Sequence, residues 1–136
     1  MTEKRPDRTL GPADRQFWAY CNEGEFRLQH CTHCDRRLWP PAPLCSDCGG
    51  QLRWERMSGR GEVISSCTFV RQYYPELPPP VDNILVRLEE GPLFLSNPKG
   101  FSSADVEAGM KVKVAFIAVE DSAGEFNLPV FERDQM

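Results

Sequence analysis

The clearest chemistry in this chain lies in four cysteines, Cys31-Thr-His-Cys34 and Cys45-Ser-Asp-Cys48-Gly49-Gly50. Each Cys-x-x-Cys turn sets two sulfurs on one side of an ion, and four soft ligands in a tetrahedron suit Zn²⁺, favoured here over iron. Gly49 and Gly50 fit a knuckle, where the chain turns tightly and backbone N–H groups point at thiolate sulfur. The intervening segment Asp35–Leu44 is shorter than the roughly 15–20 residues of the commonest pattern, but Pro40, Pro41 and Pro43 can shape a short finger that joins the two knuckles. A closed Cys₄ shell leaves no position for water or substrate, so the expected zinc is structural. A ribbon of about thirty residues has almost no core of its own and needs such a metal. His30 and His33 adjoin the cysteines and read as exposed ring donors beside the site, not as ligands.

Little else suggests catalysis. With only two histidines in the chain, both beside the cysteines, no Ser–His–Asp or Cys–His set can be assembled. There is no Gly-x-Ser-x-Gly elbow, phosphate-binding loop or dinucleotide fingerprint. No βαβ pattern surrounds either Cys-x-x-Cys pair, which disfavours thioredoxin-like redox chemistry. Cys21 and Cys67 are left over. Strand alternation puts Cys67 on one face with Val63 and Phe69, so it is expected to pack inward. The acidic pairs Glu89-Glu90 and Glu120-Asp121 fall in turn-like sequence, as solvated surface charge does.

The first residues, MTEKRPDRTLGP, lack the apolar core of an export signal, and no apolar run approaches the roughly 20 residues that span a bilayer. The expected compartment is therefore the reducing cytoplasm, where paired cysteines bind metal and do not form disulfides. The chain of 136 residues has formal net charge −4. Residues 1–24 sum to zero, residues 25–57 to +1 and residues 58–136 to −5. A protein that lives on phosphate backbones leans the other way.

These groups must be positioned by short elements. Pro12 suits the first position of a helix and Gly24 ends it, with Phe17, Trp18, Tyr20 and Cys21 forming an apolar side. The segment before it, to Gly11, reads as mobile or partner-bound. Phe26–His30, Leu38–Trp39 and Leu52–Arg56 are the expected ribbon strands. Ser58-Gly59-Arg60-Gly61 marks a turn into the body. Five strand-like runs follow: Glu62–Arg71, Asn83–Leu88, Pro92–Ser96, Lys111–Val119 and Phe126–Phe131, with a short helical or turn segment at Ser103–Gly109. Lys111–Phe116 alternates, with Val112, Val114 and Phe116 inward and both lysines outward. Asp121–Gly124 is a hairpin turn. Five strands with a small helix between the third and fourth is the order of an OB-type barrel. The expected organisation is a tail and helix over residues 1–24, a zinc ribbon over 25–57 and an OB-fold domain over 58–136, a mostly β protein.

The order of these features resembles a known family. A helix with Phe17-Trp18, two knuckles around Trp39-Pro40-Pro41, then Ser58-Gly59-Arg60-Gly61-Glu62-Val63 and Ser65-Ser66-Cys67-Thr68 carry the likeness. Leu88-Glu89-Glu90-Gly91, Gly109-Met110-Lys111-Val112 and Leu128-Pro129-Val130-Phe131 extend it. The pattern is similar to the rubredoxin-like zinc-ribbon plus OB-fold proteins of acyl-CoA metabolism, domain of unknown function 35, from about Phe17 to Phe131. The resemblance implies a rubredoxin-like ribbon followed by a five-stranded OB barrel. It also implies a partner: thiolase-superfamily enzymes, including thiolases, acyltransferases and sterol side-chain aldolases, whose own subunit carries the catalytic residues. The chain departs from the family pattern at Arg71, where the family has histidine, so no role of that position is carried over.

On this reading the chain is a non-catalytic accessory subunit of a thiolase-like enzyme acting on acyl-CoA thioesters, with a sterol side-chain aldolase preferred over a thiolase or acyltransferase complex. Coenzyme A presents phosphates and an adenine, so a contact would want cations beside aromatic rings. Arg71 beside Tyr73 and Tyr74, and Lys99 with Phe101, are the clusters of that kind. Candidate partner contacts are Phe17, Trp18, Trp39, Tyr73 and Tyr74. The Pro-rich stretch Tyr73–Val81 suits docking, since proline lowers ordering cost and tyrosine is favoured at interfaces. Two other classes compete: a single-stranded nucleic-acid module, which the acidic body opposes, and a stand-alone acyl-CoA enzyme.

Overall fold

The computed structural model describes residues 3–134. The chain opens with a short strand β1 (Glu3–Lys4), followed by helix α1 (Pro12–Asn22). At the helix start, the Asp14 carboxylate accepts the Gly11 N–H at 3.1 Å, supplying an acceptor for an end whose N–H groups have none in the helix. At its end Gly24 adopts φ 77°, and its N–H donates to Cys21 O while Glu25 N–H donates to Tyr20 O. Glycine enters that left-handed region without a Cβ penalty.

The ribbon is a three-stranded antiparallel sheet of β2 (Arg27–Cys31), β3 (Arg37–Leu38) and β4 (Leu52–Arg56), in the order β3-β2-β4. The body contains β5 (Arg60–Phe69), β6 (Val81–Leu88), β7 (Leu93–Ser96), β8 (Pro98–Lys99), β9 (Lys111–Asp121) and β10 (Gly124–Arg133). Their order is β7-β6-β5-β9-β10-β8. β8 follows β7 directly in the chain and pairs in parallel with β10, Phe131 opposite Pro98, so the sheet closes on itself. A single 3₁₀ turn, Ser103–Asp105, lies between the third and fourth barrel strands. This is the five-stranded OB barrel expected from the order of runs.

Helix, ribbon and barrel share one hydrophobic cluster, which includes Phe17, Cys21, Phe26, Leu28, Val63, Ile84, Val86, Phe94, Val112 and Phe131. Phe94 of β7 is the meeting point. Its ring lies 4.6 Å from Trp39, 5.2 Å from Phe26, 6.0 Å from Phe131 and 6.5 Å from Phe17, centroid to centroid.

Four expectations need correction. The segment before the helix is not free: β1 pairs in parallel with β9, Glu3 opposite Val119, and Arg8 Nε donates to Asp121 Oδ2 at 2.7 Å. The Arg8 guanidinium also sits 3.7 Å from the Phe126 ring centroid. Phe17 is 1% exposed and packs on Trp39 at 4.6 Å, so it offers no surface to a partner. Cys67 is exposed. A bulge between Val63 and Ser65 inserts a residue into β5 and moves Cys67 to the face opposite Val63. His30 is buried, because its side chain is held among charged neighbours between the ribbon strands. No helix among the described residues is long and apolar enough to cross a membrane.

Candidate metal centre and surface recesses

Strand β2 delivers Cys31 at its end, and the two knuckles follow the same plan. Asp35 N–H donates to Cys31 O at 3.1 Å and Gly49 N–H donates to Cys45 O at 2.8 Å. In each knuckle the residue after the second cysteine takes a left-handed conformation, Asp35 at φ 65° and Gly49 at φ 71°. Gly50 is required for another reason: a Cβ there would meet His33 Cβ at 2.8 Å, Cys31 Sγ at 3.1 Å and Cys48 Sγ at 3.2 Å.

The result brings the four predicted ligands together, with all four Sγ atoms within 4.8 Å of one another. Cys31 and Cys48 Sγ are 3.5 Å apart, and Cys34 and Cys45 Sγ are 3.7 Å apart. A tetrahedral shell with Zn–S bonds of about 2.3 Å has sulfurs about 3.8 Å apart, so the residues fit zinc. The Cys34 N–H, 3.4 Å from Cys31 Sγ, is the main influence that lowers the Cys31 thiol to about 6, against burial that raises it. At Cys48 the Gly50 N–H favours the thiolate, but hydrogen bonding with Cys31, burial and the other thiols prevail and push it up to about 12. All four would ligate one zinc ion, and such a set would leave no open position for substrate.

Two supports of this centre have no counterpart in the sequence reading. His30 Nε2 shares a hydrogen bond with the Asp35 carboxylate, its Nδ1 lies 3.2 Å from Glu55, and Arg37 Nε donates to Glu55 at 2.9 Å. This row of polar side chains ties the first knuckle across the ribbon sheet. Gln29 exchanges two hydrogen bonds of 2.8 Å with the backbone of Ala42, pinning the Pro-rich finger. Both residues sit on β2, which is buried over residues 28–31. With side chains covered on both faces, there is no alternation to mark them.

The family described as "ChsH2, rubredoxin-like zinc ribbon domain" matches residues 18–55, and "ChsH2, C-terminal OB-fold domain" matches residues 54–116. A Pyrococcus furiosus protein described as "DUF35 domain-containing scaffold protein" is 34% identical over 108 residues, 73% of this chain and 74% of its own length. The chain belongs to the DUF35 family. A Thermomonospora curvata protein described as "Probable enoyl-CoA hydratase alpha subunit" is 29% identical over 96% of this chain. This chain spans only 42% of that relative's length. Among solved structures, one described as "Ltp2-ChsH2(DUF35) aldolase" superposes with TM-score 0.80 at 23% identity, covering 93% of this chain and 98% of that one. A Sulfolobus solfataricus DUF35 protein of unknown function superposes with TM-score 0.63 at 19% identity, covering 92% and 87%. At these identities the two structures establish the shared fold.

Away from the metal, four of the remaining predicted residues of this DUF35 chain, Arg71, Tyr73, Tyr74 and Lys99, line two separate recesses. Arg71, Tyr73 and Tyr74 line one of about 360 Å³, with Phe69, Leu77 and Arg5 from the N-terminal segment. Arg5 reaches it because its guanidinium donates to Asn97 Oδ1 at 3.2 Å. Lys99 lines the other, about 420 Å³, with Lys113, Glu132 and Arg133. Phe101 does not line that recess; the Arg133 guanidinium lies over its ring, 5.3 Å from the centroid. Trp18 and Trp39 are half-buried, their rings spent on Phe126 at 5.1 Å and on Phe94.

Proposed function

We propose that this DUF35 chain is a non-catalytic accessory subunit of a thiolase-like enzyme acting on acyl-CoA thioesters in the cytoplasm, with a sterol side-chain aldolase as the preferred partner. The observation that carries the reading is the match of both ChsH2 domains, in order, to this chain. A chain of the same fold belongs to a structure described as an Ltp2-ChsH2(DUF35) aldolase. The Pyrococcus relative described as a scaffold agrees with an assembling role. The hydratase-subunit relative agrees with acyl-CoA chemistry. A metal held by four cysteines suits bracing and not turnover.

Within this reading the two recesses divide the work. Lys99, Lys113 and Arg133 gather around Glu132 in an open, polar recess, which suits phosphates of coenzyme A approaching from a shared site. Phe101 carries Arg133 over its ring beside this cluster. Arg71, Tyr73 and Tyr74 belong to the more apolar recess and serve partner contact. Trp18 and Trp39 hold the helix and ribbon to the barrel.

Copurification tests the proposal. The zinc-loaded chain should retain a thiolase-like subunit from its own organism and raise that subunit's activity or solubility. Failure on both counts would sink it. Tyr73→Ala with Tyr74→Ala should weaken retention while leaving zinc content and fold unchanged.

A further inference from the structure

Of the large apolar side chains left exposed among the described residues, all but Leu44 lie on one face of the barrel or in the segment continuing from its rim. Register defines that face. Directly opposed residues of an antiparallel ladder point to the same side of the sheet. Val63 opposes Val86, and Val86 opposes Phe94, all buried and inward. The alternate rows therefore point outward: Ser65–Leu85–Leu95, Glu62–Arg87–Leu93, Cys67–Asn83 and Phe69–Val81. Leu95 is 64% exposed, Leu93 46% and Phe69 44%. At one end this strip runs into the recess of Arg71, Tyr73 and Tyr74. The recess loop is already ordered: Gln72 Nε2 donates to Tyr74 O at 3.1 Å, and Tyr74 bridges Leu77.

From Arg87 to Val81 the face is about 20 Å long at about 3.4 Å per residue, and three strands make it about 10 Å wide. A patch of roughly 200 Å² is the desolvated centre of an interface, not the whole of one, which needs about 800 Å² per partner. Its charge selects the occupant. Arg87 stands at one end, opposite Glu62, whose carboxylate is engaged by Lys111 at 3.2 Å, and Arg71 stands at the other; neither arginine forms an ion pair among the described residues. A second copy would set this cationic patch against itself, since a two-fold interface repeats one surface. A single-stranded nucleic acid would want rings along its path, but the middle of the strip is leucine.

We infer that the outer face of β5, β6 and β7 docks a different protein subunit, apolar at its centre and bearing carboxylates opposite Arg71 and Arg87. This rests on the accessory-subunit reading and names the surface that reading left open.

The test measures binding of the full-length, zinc-loaded chain to the thiolase-like subunit at two salt concentrations. Leu95→Asp should weaken it at least about tenfold, as truncated anchors at an interface centre do. Arg71→Glu and Arg87→Glu should slow association, and the difference should shrink in high salt. All three sites are exposed, and unchanged zinc content and circular dichroism verify folding of each variant. If the wild-type chain binds but Leu95→Asp and Arg87→Glu bind equally well, the docking face is wrong and the accessory reading stands. If the wild-type chain binds no such subunit, both are overturned. A wild-type dimer dispersed by Leu95→Asp would assign the face to a second copy. Salt-sensitive binding of oligo(dT), lost in Arg71→Glu, would assign it to nucleic acid.

Discussion

Phe94→Ala tests whether ribbon and barrel are one unit. The ring is 4% exposed and has ring neighbours on the helix, the ribbon and the barrel, at 4.6 to 6.5 Å. Truncation removes on the order of 120 Å² of buried apolar surface, about 3 kcal/mol, and the cavity left behind brings the loss to about 4 kcal/mol. For a chain of this size, that lowers the unfolding midpoint by roughly 12–20 °C. Phe94→Leu keeps most of the volume and should cost about 1 kcal/mol. The three tryptophans, Trp18, Trp39 and Trp54, all lie on the helix and ribbon, so fluorescence reports that side while far-ultraviolet dichroism reports mainly the barrel strands. Both midpoints should fall together, and zinc release to a chromogenic chelator should begin at the same lower temperature. A fluorescence midpoint left at the wild-type value while the dichroism midpoint drops would refute a shared core.

Cys45→Ser should lose bound zinc by elemental analysis and disorder the ribbon, and full metal content would contradict the ligand assignment. Gly50→Ala should speed zinc loss to a chelator without abolishing binding, because the new Cβ would press on His33 Cβ at 2.8 Å and on Cys31 Sγ at 3.1 Å. The Arg8 hydrogen bonds, against opposing burial, hold the Asp121 carboxyl at about 2, below its ordinary 3.8; its side chain is 1% exposed. A depressed folded-state value means stability present above the unfolded pKa and lost as pH falls from about 5 toward 1, worth about 2 kcal/mol at neutral pH. Arg8→Ala should remove about that much at pH 7 by urea unfolding. Its deficit against the wild-type chain should shrink in acid, where proton competition for zinc affects both chains.

The metal centre was legible because coordination chemistry imposes its own spacing: two Cys-x-x-Cys pairs and a following glycine need no long-range information. Lys111–Phe116 was legible because one face is buried and the other wet, so alternation survives into the sequence. What failed to register depends on contacts far apart in the chain. β1 is two residues long, and Arg8 meets Asp121 across 113 positions, so no local period announces either. Cys67 was misplaced because period-two counting assumes an unbroken ladder, and the bulge after Val63 shifts every later residue of β5 by one face. Phe17 was read as available to a partner because an apolar helix face looks the same whether a domain or another protein covers it.

β7 draws these observations together. Phe94 points inward and seats Trp39 of the zinc finger, while Leu93 and Leu95, its neighbours in sequence, point outward onto the proposed docking face. A strand cannot tilt one set of side chains without moving the other, since both hang on one pleated backbone. None of the four clustered cysteines lies on the outer face, yet the finger they close packs through Trp39 on the strand that presents the leucines. In a well-packed core such strain passes on and is not absorbed locally. A zinc ion in the finger would reach the opposite side of β7 only through this Trp39–Phe94 contact.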